Sequence, residues 1–262
     1  MTKIQINKND LYDLYISKNH TAEYISQQYD VSKATIGRLV KKYGIVKLPY
    51  VKHFVDEMAF NIFTLESCYW AGFIAADGNL LKTSNLLKIK LKYDDKDHIL
   101  KFCNFLKRDD KLFEETCDGH KQIGVFVCNK NIKNDLINNF NITPAKSFTL
   151  QPPNKIPDAL IQHYIRGYFD GDGSIGIRKN GSVRLHFVSG SKNILDWIKN
   201  NIDIKTKTDH IVSVRRRSGK NFYEIEYSGK NMNNIFNWLY KDSIQETRLD
   251  RKYERYQNYL QK

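Results

Sequence analysis

Two aspartates, Asp77 and Asp172, lie near the ends of two stretches of similar sequence, residues 70–78 and 165–173. Each aspartate follows a small residue and precedes a glycine. Two carboxylates that are held side by side repel each other unless one is protonated or a cation lies between them. Mg²⁺ prefers hard oxygen ligands of this kind. The pair therefore predicts a magnesium site, provided that the fold brings the two stretches together.

Two helices are the elements that must position these acids. On a helix, Gly72 and Ala76 lie on one face of the first stretch, and Gly167 and Gly171 lie on one face of the second. Small residues at this spacing let two helix backbones approach closely. We therefore expect the two stretches to pack against each other and to bring their carboxylates together.

Both stretches resemble the nine-residue motif of the LAGLIDADG homing endonucleases, in the form that carries two motifs in one chain. Residues 165–173, IRGYFDGDG, differ from the pattern mainly at Arg166. Residues 70–78, WAGFIAADG, depart further, with Trp70 in place of the leading leucine and Ala75 in place of the first aspartate. In the family the eighth position binds metal, and both stretches keep an aspartate there.

The resemblance implies further site residues. Backbone carbonyls beside the acids, here those of Ala76 and Gly171, also contact metal in the family. One basic residue per half lies just after the fourth strand, near the scissile phosphates, and Lys130 and Lys230 occupy that position. Each of them could instead be a solvated lysine that opens a helix. Lys146 is a third candidate, because the sequence around it also resembles the family.

A turn or a calcium loop is the alternative interpretation of the acidic sequence that begins at Asp170. An EF-hand loop starting there would need glycine and glutamate where the chain has Ile175 and Gly181, so this interpretation fails. A plain acidic turn stays open, but it would not explain the earlier copy of the motif.

The composition indicates the class of partner. The net charge of +13 predicts a polyanionic partner, either nucleic acid or an anionic membrane surface. The longest apolar run, residues 69–76, is too short to cross a bilayer, and the first residues have no apolar signal region. The four cysteines include no Cys-x-x-Cys pair, so we do not expect a zinc cluster. We expect an intracellular protein (organellar if it is intron-encoded) that binds nucleic acid and no membrane.

The first 48 residues are typical of a small all-α unit. Two short helices, a tight turn and a basic second helix resemble the helix-turn-helix of bacterial and phage DNA-binding proteins. Lys33, Thr35 and Arg38 lie near the start of the second helix, where such units touch base edges. A plain helical bundle with a solvated basic face is the alternative.

After each motif the hydrophobic pattern changes from helical to alternating, and the same order of elements follows twice. The repeat extends past the motifs, since residues 127–132 align with residues 227–232. The predicted order matches the αββαββα half-barrel of the family. We predict an α+β fold in which two pseudo-symmetric LAGLIDADG half-domains form a DNA-binding saddle, next to the all-α helix-turn-helix unit. The predicted boundaries are a helix-turn-helix unit at 1–48, a connector at 49–64, a first repeat at 65–145 and a second repeat at 146–262.

Charged and polar residues that alternate along the predicted strands are candidates for DNA contacts. A sheet whose apolar face is buried under helices can lay its other face along the major groove. Arginine suits bidentate contacts to guanine, and lysine suits phosphates as well as guanine. A solvated sheet face would give the same pattern. The candidates are Lys88, Lys90 and Lys92 in the first half, and Arg184, His186, Ser213, Arg215 and Arg217 in the second.

Together these features predict a site-specific double-strand DNA endonuclease of the homing type, encoded by a mobile element or a phage. It would act as a monomer on a long target site and hydrolyse phosphodiesters with divalent metal held by the two acids. Mg²⁺ is the expected cofactor, Mn²⁺ is expected to substitute for it, and Ca²⁺ is expected to support binding without cleavage. The sequence leaves open a DNA-binding transcription regulator on the same scaffold and an RNA maturase. Divalent-dependent cleavage separates the enzyme from both.

Overall fold

The computed structural model describes residues 6–18, 20–45, 54–108, 112–178, 182–208, 214–216, 219, 221–229 and 232–260. The chain forms two compact units, residues 1–53 and 54–262. The later part of the predicted connector belongs to the second unit, where Phe60 is buried in the core and the Asp56 N–H donates to the Leu106 carbonyl. Within the described ranges, no helix is long and apolar enough to cross a membrane.

The described part of the first unit is all α. Its helices are α1 (Lys8–Tyr12), which continues into a π-helical turn (Asp13–Ser17), α2 (Ala22–Gln28) and α3 (Lys33–Lys42). The side chains of Thr21 and Ser32 accept hydrogen bonds from the N–H groups of Tyr24 and Thr35, and so begin α2 and α3. A short turn joins α2 to α3, and a helix-turn-helix role for this pair stays a prediction. The buried core of this unit consists of Ile6, Leu11, Leu14, Ile25, Ile36 and Ile45.

The second unit contains the predicted αββαββα order twice, which confirms the α+β fold. The first repeat consists of α4 (Leu65–Asp77), β1 (Asn79–Leu80), β2 (Leu86–Lys92), α5 (Lys96–Phe105), β3 (Phe113–Cys117), β4 (His120–Cys128) and α6 (Lys130–Phe140). The second repeat consists of α7 (Ile161–Asp172), β5 (Ser174–Ile177), β6 (Val183–Ser189), α8 (Lys192–Thr206), β7 (Arg215–Arg216), β8 (Tyr223–Ser228) and α9 (Met232–Tyr240). A last helix, α10 (Asp250–Leu260), follows.

Each repeat has one antiparallel four-stranded sheet, with strand orders β1-β2-β4-β3 and β5-β6-β8-β7. The alternation predicted for β2 is present, because Leu87 and Ile89 are buried while Lys88, Lys90 and Lys92 lie on the other, open face. The open faces therefore collect the polar residues, and the buried faces pack on the helices. One continuous core extends through both repeats.

Helices α4 and α7 pack against each other at the centre of the second unit, as their small residues predict. A Cβ atom at Gly72 would lie 2.0 Å from the Tyr164 carbonyl oxygen, and a Cβ atom at Gly167 would lie 1.9 Å from the Tyr69 carbonyl oxygen. Both distances are far shorter than van der Waals contact, so only glycine permits this crossing. Helix α4 is buried on all sides over residues 67–75, which is why its sequence is apolar throughout.

Helix α8 extends as far as Thr206, because Ile202 is buried and the Thr206 hydroxyl donates to the Ile202 carbonyl. Lys207, at a φ of 52°, then ends the helix. Of the strand predicted to carry the candidates at 213, 215 and 217, the structure describes β7.

Candidate active site

The acids Asp77 and Asp172 are the last residues of α4 and α7. The two helix ends touch, since a Cβ atom at Gly171 would lie 2.4 Å from the Ala76 Cβ and 3.3 Å from Asp77 Oδ2. The Asp77 carboxylate therefore lies against the last turn of the helix that carries Asp172. This is the arrangement that the motif spacing predicts.

The surroundings of the two acids disfavour their ionised forms. Asp77 is accessible to solvent and Asp172 is half-buried. Protein atoms nevertheless crowd Asp77, and this desolvation, followed by the negative charge of Asp172, raises its pKa to about 6. Desolvation also raises the pKa of Asp172, while the charges of Lys146 and Lys252 lower it. The acids therefore lie close enough to repel each other, and two lysines partly compensate.

Each of these two lysines donates to the backbone carbonyl that precedes an acid. Lys146 Nζ lies 3.2 Å from the carbonyl oxygen of Ala76, and Lys252 Nζ lies 3.3 Å from that of Gly171. Both lysines are buried, and burial lowers the pKa of each to about 8. Lys146 follows the first repeat and Lys252 follows the second, so each half of the unit is followed by one lysine that reaches the site.

Lys252 also closes the C-terminus of α7. Its ammonium group donates to the carbonyls of Phe169, Asp170 and Gly173 over 2.6, 2.7 and 2.6 Å. The last carbonyls of a helix have no partner within the helix, and a cation there also interacts favourably with the helix dipole. The sequence offered no motif or spacing that would single out Lys252 within the basic C-terminal helix, and our sequence analysis missed it.

The C-terminal segment reaches α7 through two further buried residues. The Arg166 guanidinium donates to the Leu239 carbonyl and to both the carbonyl and the hydroxyl oxygen of Thr247. Asp170 accepts hydrogen bonds from the Tyr69 hydroxyl over 2.7 Å and from the Leu249 N–H over 2.8 Å. The unusual Arg166 is thus a structural residue. Asp170 lies in the core, where its carboxylate accepts these two hydrogen bonds.

The same segment is tied to the first repeat by ion pairs. Arg251 donates to both carboxylate oxygens of Asp95 over 2.8 and 3.0 Å. Lys101 donates to the carboxylate of Asp250 over 2.7 Å and to the carbonyl of Arg248 over 3.1 Å. Helix α10 therefore contacts both repeats, and Lys252 directly follows these anchoring residues in the chain.

A cavity of about 250 Å³ opens beside Asp172. Its lining includes Asp172, Lys146, Tyr168 and Ser189, together with the end of α4. The Tyr168 hydroxyl donates to the Val188 carbonyl over 3.0 Å, which fixes the ring against the second sheet. The site is thus a small polar recess between the motif helices.

The structure describes one of the two other lysines predicted for the site, Lys130, but not Lys230. Lys130 is exposed at the start of α6, and the positive charges that act most on Asp77 come from Lys252 and Lys146. Lys230 lies outside the described residues. A catalytic role for either one stays a prediction.

The strand-borne candidates for DNA contacts lie on the open sheet faces where they are described. In the first sheet, Lys90 pairs with Glu115, and Lys88 Nζ lies 5.2 Å from the centre of the Phe126 ring. In the second sheet, Arg184, His186 and Arg215 surround glutamates on β8. Ser213 and Arg217 lie outside the described residues. In the first unit, Lys33 and Arg38 are exposed and Thr35 is half-buried beside the N-cap of α3.

The residues at the site fit a hard divalent cation. In the described part of the chain, no three His, Cys, Asp or Glu side chains come together as a metal cluster. A cation here would depend on the carboxylates of Asp77 and Asp172 and on backbone carbonyls, which are the oxygen donors that Mg²⁺ prefers. The raised pKa of both acids also fits, because a cation between them would relieve their repulsion.

Comparison with known proteins places the second motif in a family. Residues 159–237 match the family model described as a LAGLIDADG-like domain. This chain therefore contains a LAGLIDADG-like domain, and the resemblance drawn from the two motifs is confirmed.

Several solved structures are similar to this chain at low sequence identity. A point mutant of I-SmaMI is 10% identical, with a TM-score of 0.52 over 76% of this chain and 89% of that one. The I-LtrWI LAGLIDADG homing endonuclease bound to target DNA is 12% identical, with a TM-score of 0.49 over 76% of this chain and 90% of that one. Full-length DUF199/WhiA from Thermatoga maritima is 15% identical, with a TM-score of 0.48 over 78% of this chain and 64% of that one. At 10% identity, the likeness to the I-SmaMI mutant shows the fold alone and leaves the function open.

One curated protein is similar over part of the chain. It is a probable translation initiation factor IF-2 of Methanocaldococcus jannaschii, 30% identical over 145 residues. The match covers 47% of this chain but only 12% of the length of that relative. Because the match covers so little of that relative, its activity is not transferred to this chain.

Proposed function

We propose that this protein is a site-specific, divalent-metal-dependent double-strand DNA endonuclease of the homing type. The observation that carries the proposal is the convergence of Asp77, Asp172, Lys146 and Lys252 at the ends of the two motif helices. Phosphodiester hydrolysis needs an activated water, charge relief at the phosphate and help for the leaving oxygen. Paired acids and paired cations at one place can meet these needs.

Asp77 and Asp172, with the carbonyls of Ala76 and Gly171, would hold Mg²⁺ or Mn²⁺. Bound there, the metal supplies an activated water and stabilises negative charge on the phosphate. Lys146 and Lys252 hold positive charge at the same two carbonyls, one for each half of the unit. We assign to them the role that the resemblance gives to one basic residue per half. Lys130 and Lys230 remain the alternative pair.

Double-stranded DNA is the proposed substrate. The net charge of +13 supports a polyanionic partner, and the open faces of both sheets carry basic residues that can reach a major groove. Both acids belong to one chain, which supports action as a monomer on a long target site. The first unit, with Lys33, Thr35 and Arg38 on α3, would extend the contacts with DNA beyond the cleavage site.

The test uses duplexes that the protein selects from a randomised pool. Asp77→Asn and Asp172→Asn should each reduce single-turnover cleavage in Mg²⁺ by several orders of magnitude, while binding measured in Ca²⁺ is retained. Asp196→Asn is the matched control, because this partly exposed residue on α8 undergoes the same change of charge away from the motif helices. Cleavage by Asp172→Asn at the wild-type rate would refute the assignment of the acids.

Two other functions give different results in the same assay. A transcription regulator on this scaffold would select a duplex and leave it intact in Mg²⁺ and Mn²⁺. An RNA maturase would bind its intron RNA and promote splicing independently of any DNA cleavage. The presence of both motif acids favours the nuclease.

A further inference from the structure

The open face of the second sheet carries two glutamates among its basic residues. Glu226 and Glu224 lie on β8, and cross-strand pairing places them opposite His186 and Val188 of β6. Glu224 also lies opposite Arg215 of β7. A DNA-facing surface would be expected to avoid carboxylates, since phosphates repel them. Their central position therefore calls for a specific use.

Four basic side chains lie around the carboxylate of Glu226. One of its carboxylate oxygens accepts from Arg178 Nη2 over 2.5 Å. The other lies 3.0 Å from His186 Nε2, 3.7 Å from Arg215 Nη2 and 3.9 Å from Arg184 Nη1. Arg215 also donates from Nε to Glu224 over 2.9 Å. Arg178 and Arg215 are thus hydrogen-bonded to carboxylates, and Arg184 lies beside one, so a phosphate would have to compete with Glu226 and Glu224 for these arginines.

This cluster lines a recess of about 390 Å³ that is open to the outside. Gly176 on β5 leaves room for the Arg184 side chain, because a Cβ atom there would lie 2.7 Å from Arg184 Nε. The Glu226 side chain keeps about 17% of its surface exposed, so a ligand can still reach it. The recess therefore presents acceptors and donors next to each other.

That combination matches a G·C base pair. In the major groove, guanine offers the acceptors O6 and N7, and cytosine offers the N4 amino donor. An arginine of the cluster can donate hydrogen bonds to guanine O6 and N7, while Glu226 accepts a hydrogen bond from the N4 amino group of cytosine. A phosphate satisfies only the arginines and leaves the carboxylate facing a negative charge, which costs free energy.

At the position of the first sheet that is equivalent to Glu226, there is no carboxylate. The repeat alignment matches Glu226 with Phe126, whose ring stacks on Phe113 at 4.1 Å between centroids. The basic group near that ring is the side-chain ammonium of Lys88. The two open faces therefore differ in chemistry, and the carboxylate belongs to the second half alone at this position.

We propose that Glu226 is a specificity-determining residue, which reads the cytosine of a G·C pair and penalises binding to DNA that does not offer one. This inference rests on the proposed DNA-binding function. It makes no use of metal or of the cleavage step, so it can be tested by binding alone.

The experiment compares wild type, Glu226→Gln and Glu226→Asp, with Asp196→Asn as the control for net charge. Asp196 pairs with Lys192 on α8, which covers the buried face of the same sheet, so its change adds the same charge away from the recess. Two quantities are measured: the salt dependence of binding to random-sequence duplex DNA, and the base preference of duplexes selected from a randomised pool.

Glu226→Gln should bind random-sequence DNA several-fold more tightly, with a salt slope steeper by about 0.9 for each phosphate contact that a released arginine gains. It should also lose the preference for G·C at one position of the selected sites. Glu226→Asp keeps the charge but shortens the side chain, so it should relax the G·C preference and leave the slope near that of wild type. Asp196→Asn should keep both properties of wild type.

A G·C preference that survives in both Glu226 variants would overturn base reading, even if the slope changes. An unchanged slope in Glu226→Gln would overturn the penalty on random DNA. Wild-type protein that binds no duplex DNA at all would refute the proposed function and this inference together, whereas wild-type binding with unchanged variants refutes this inference alone.

Discussion

The ammonium group of Lys252 donates to the carbonyl oxygen of Gly173 over 2.6 Å, although the two residues are 79 positions apart in the chain. A side chain of α10 thereby caps the C-terminus of α7, the motif helix that carries Asp172. The same lysine lies 3.3 Å from the carbonyl of Gly171. A C-terminal residue is thus part of the site that the two motifs define.

The first prediction concerns the two buried lysines. Lys146→Met and Lys252→Met should each slow single-turnover cleavage by about 100-fold or more, because each removes a positive charge fixed beside the acids. Lys252→Met should also lower the free energy of unfolding by roughly 1–3 kcal/mol, since it leaves buried carbonyls without a donor. Rates are measured at saturating enzyme, and stability by urea unfolding.

Lys130→Met is the matched control for the lysines, because Lys130 is exposed at the start of α6. It should cleave at a rate near that of wild type. The opposite result, a slow Lys130→Met with wild-type rates for the two buried lysines, would return the basic role to the position that the family resemblance gives.

The second prediction concerns the helix crossing. Gly167→Ala should prevent stable folding of the second unit, because the new methyl group would lie 1.9 Å from the backbone oxygen of Tyr69, which cannot move without separating the helices. Gly37→Ala, in α3, meets no atom within 4 Å and should stabilise the first unit by roughly 0.5–1 kcal/mol. Calorimetry on both variants checks the contrast, and a Gly167→Ala protein that melts like wild type would contradict the crossing.

The third prediction concerns acid stability. Burial, followed by the charge of Arg166, lowers the pKa of His163 from 6.5 to about 4. Between these values the unfolded state binds more protons than the folded state, so stability is full above pH 6.5 and is lost as the pH falls through 4. The shift corresponds to roughly 3 kcal/mol for this one group. The buried His98, whose pKa is also lowered, adds a contribution of the same sign.

His163→Asn should therefore show a smaller loss of stability than wild type when urea unfolding at pH 7 is compared with unfolding at pH 4.5. The variant is compared with itself at the two pH values, because the substitution also changes packing. His120→Asn, on the exposed part of β4, serves as the control. An identical pH difference in wild type and His163→Asn would show that this histidine is not the acid-sensitive group.

The fourth prediction concerns the first unit. A protein that begins at Phe54 should fold, because the second unit has its own continuous core. It should bind its target more weakly, since each good base contact made by α3 contributes roughly 1–3 kcal/mol of discrimination, and it should still cleave at high enzyme concentration. Footprinting should show protection lost on one flank only. An unchanged footprint would mean that the first unit binds something else, and a folded protein unable to cleave would mean that the first unit helps to build the active site.

The sequence by itself determined the acid pair, the double αββαββα order and the faces of the strands. These features depend on local pattern: small residues four apart predict a close helix crossing, and alternation along β2 separates Leu87 and Ile89 from the lysines between them. Each follows from backbone geometry over one or two turns of chain, so no knowledge of distant partners is needed.

Only the tertiary structure decided which of several similar residues enter the site. Asp170 and Asp172 are two positions apart in one motif, yet α7 turns the first into the core and leaves the second beside Asp77. Lys252 differs from its basic neighbours only because the pairs made by Arg251 and Asp250 dock α10 across both repeats. Such partnerships join residues that are distant in the chain, and their burial and charge depend on how whole elements pack, which the local pattern of a sequence does not specify.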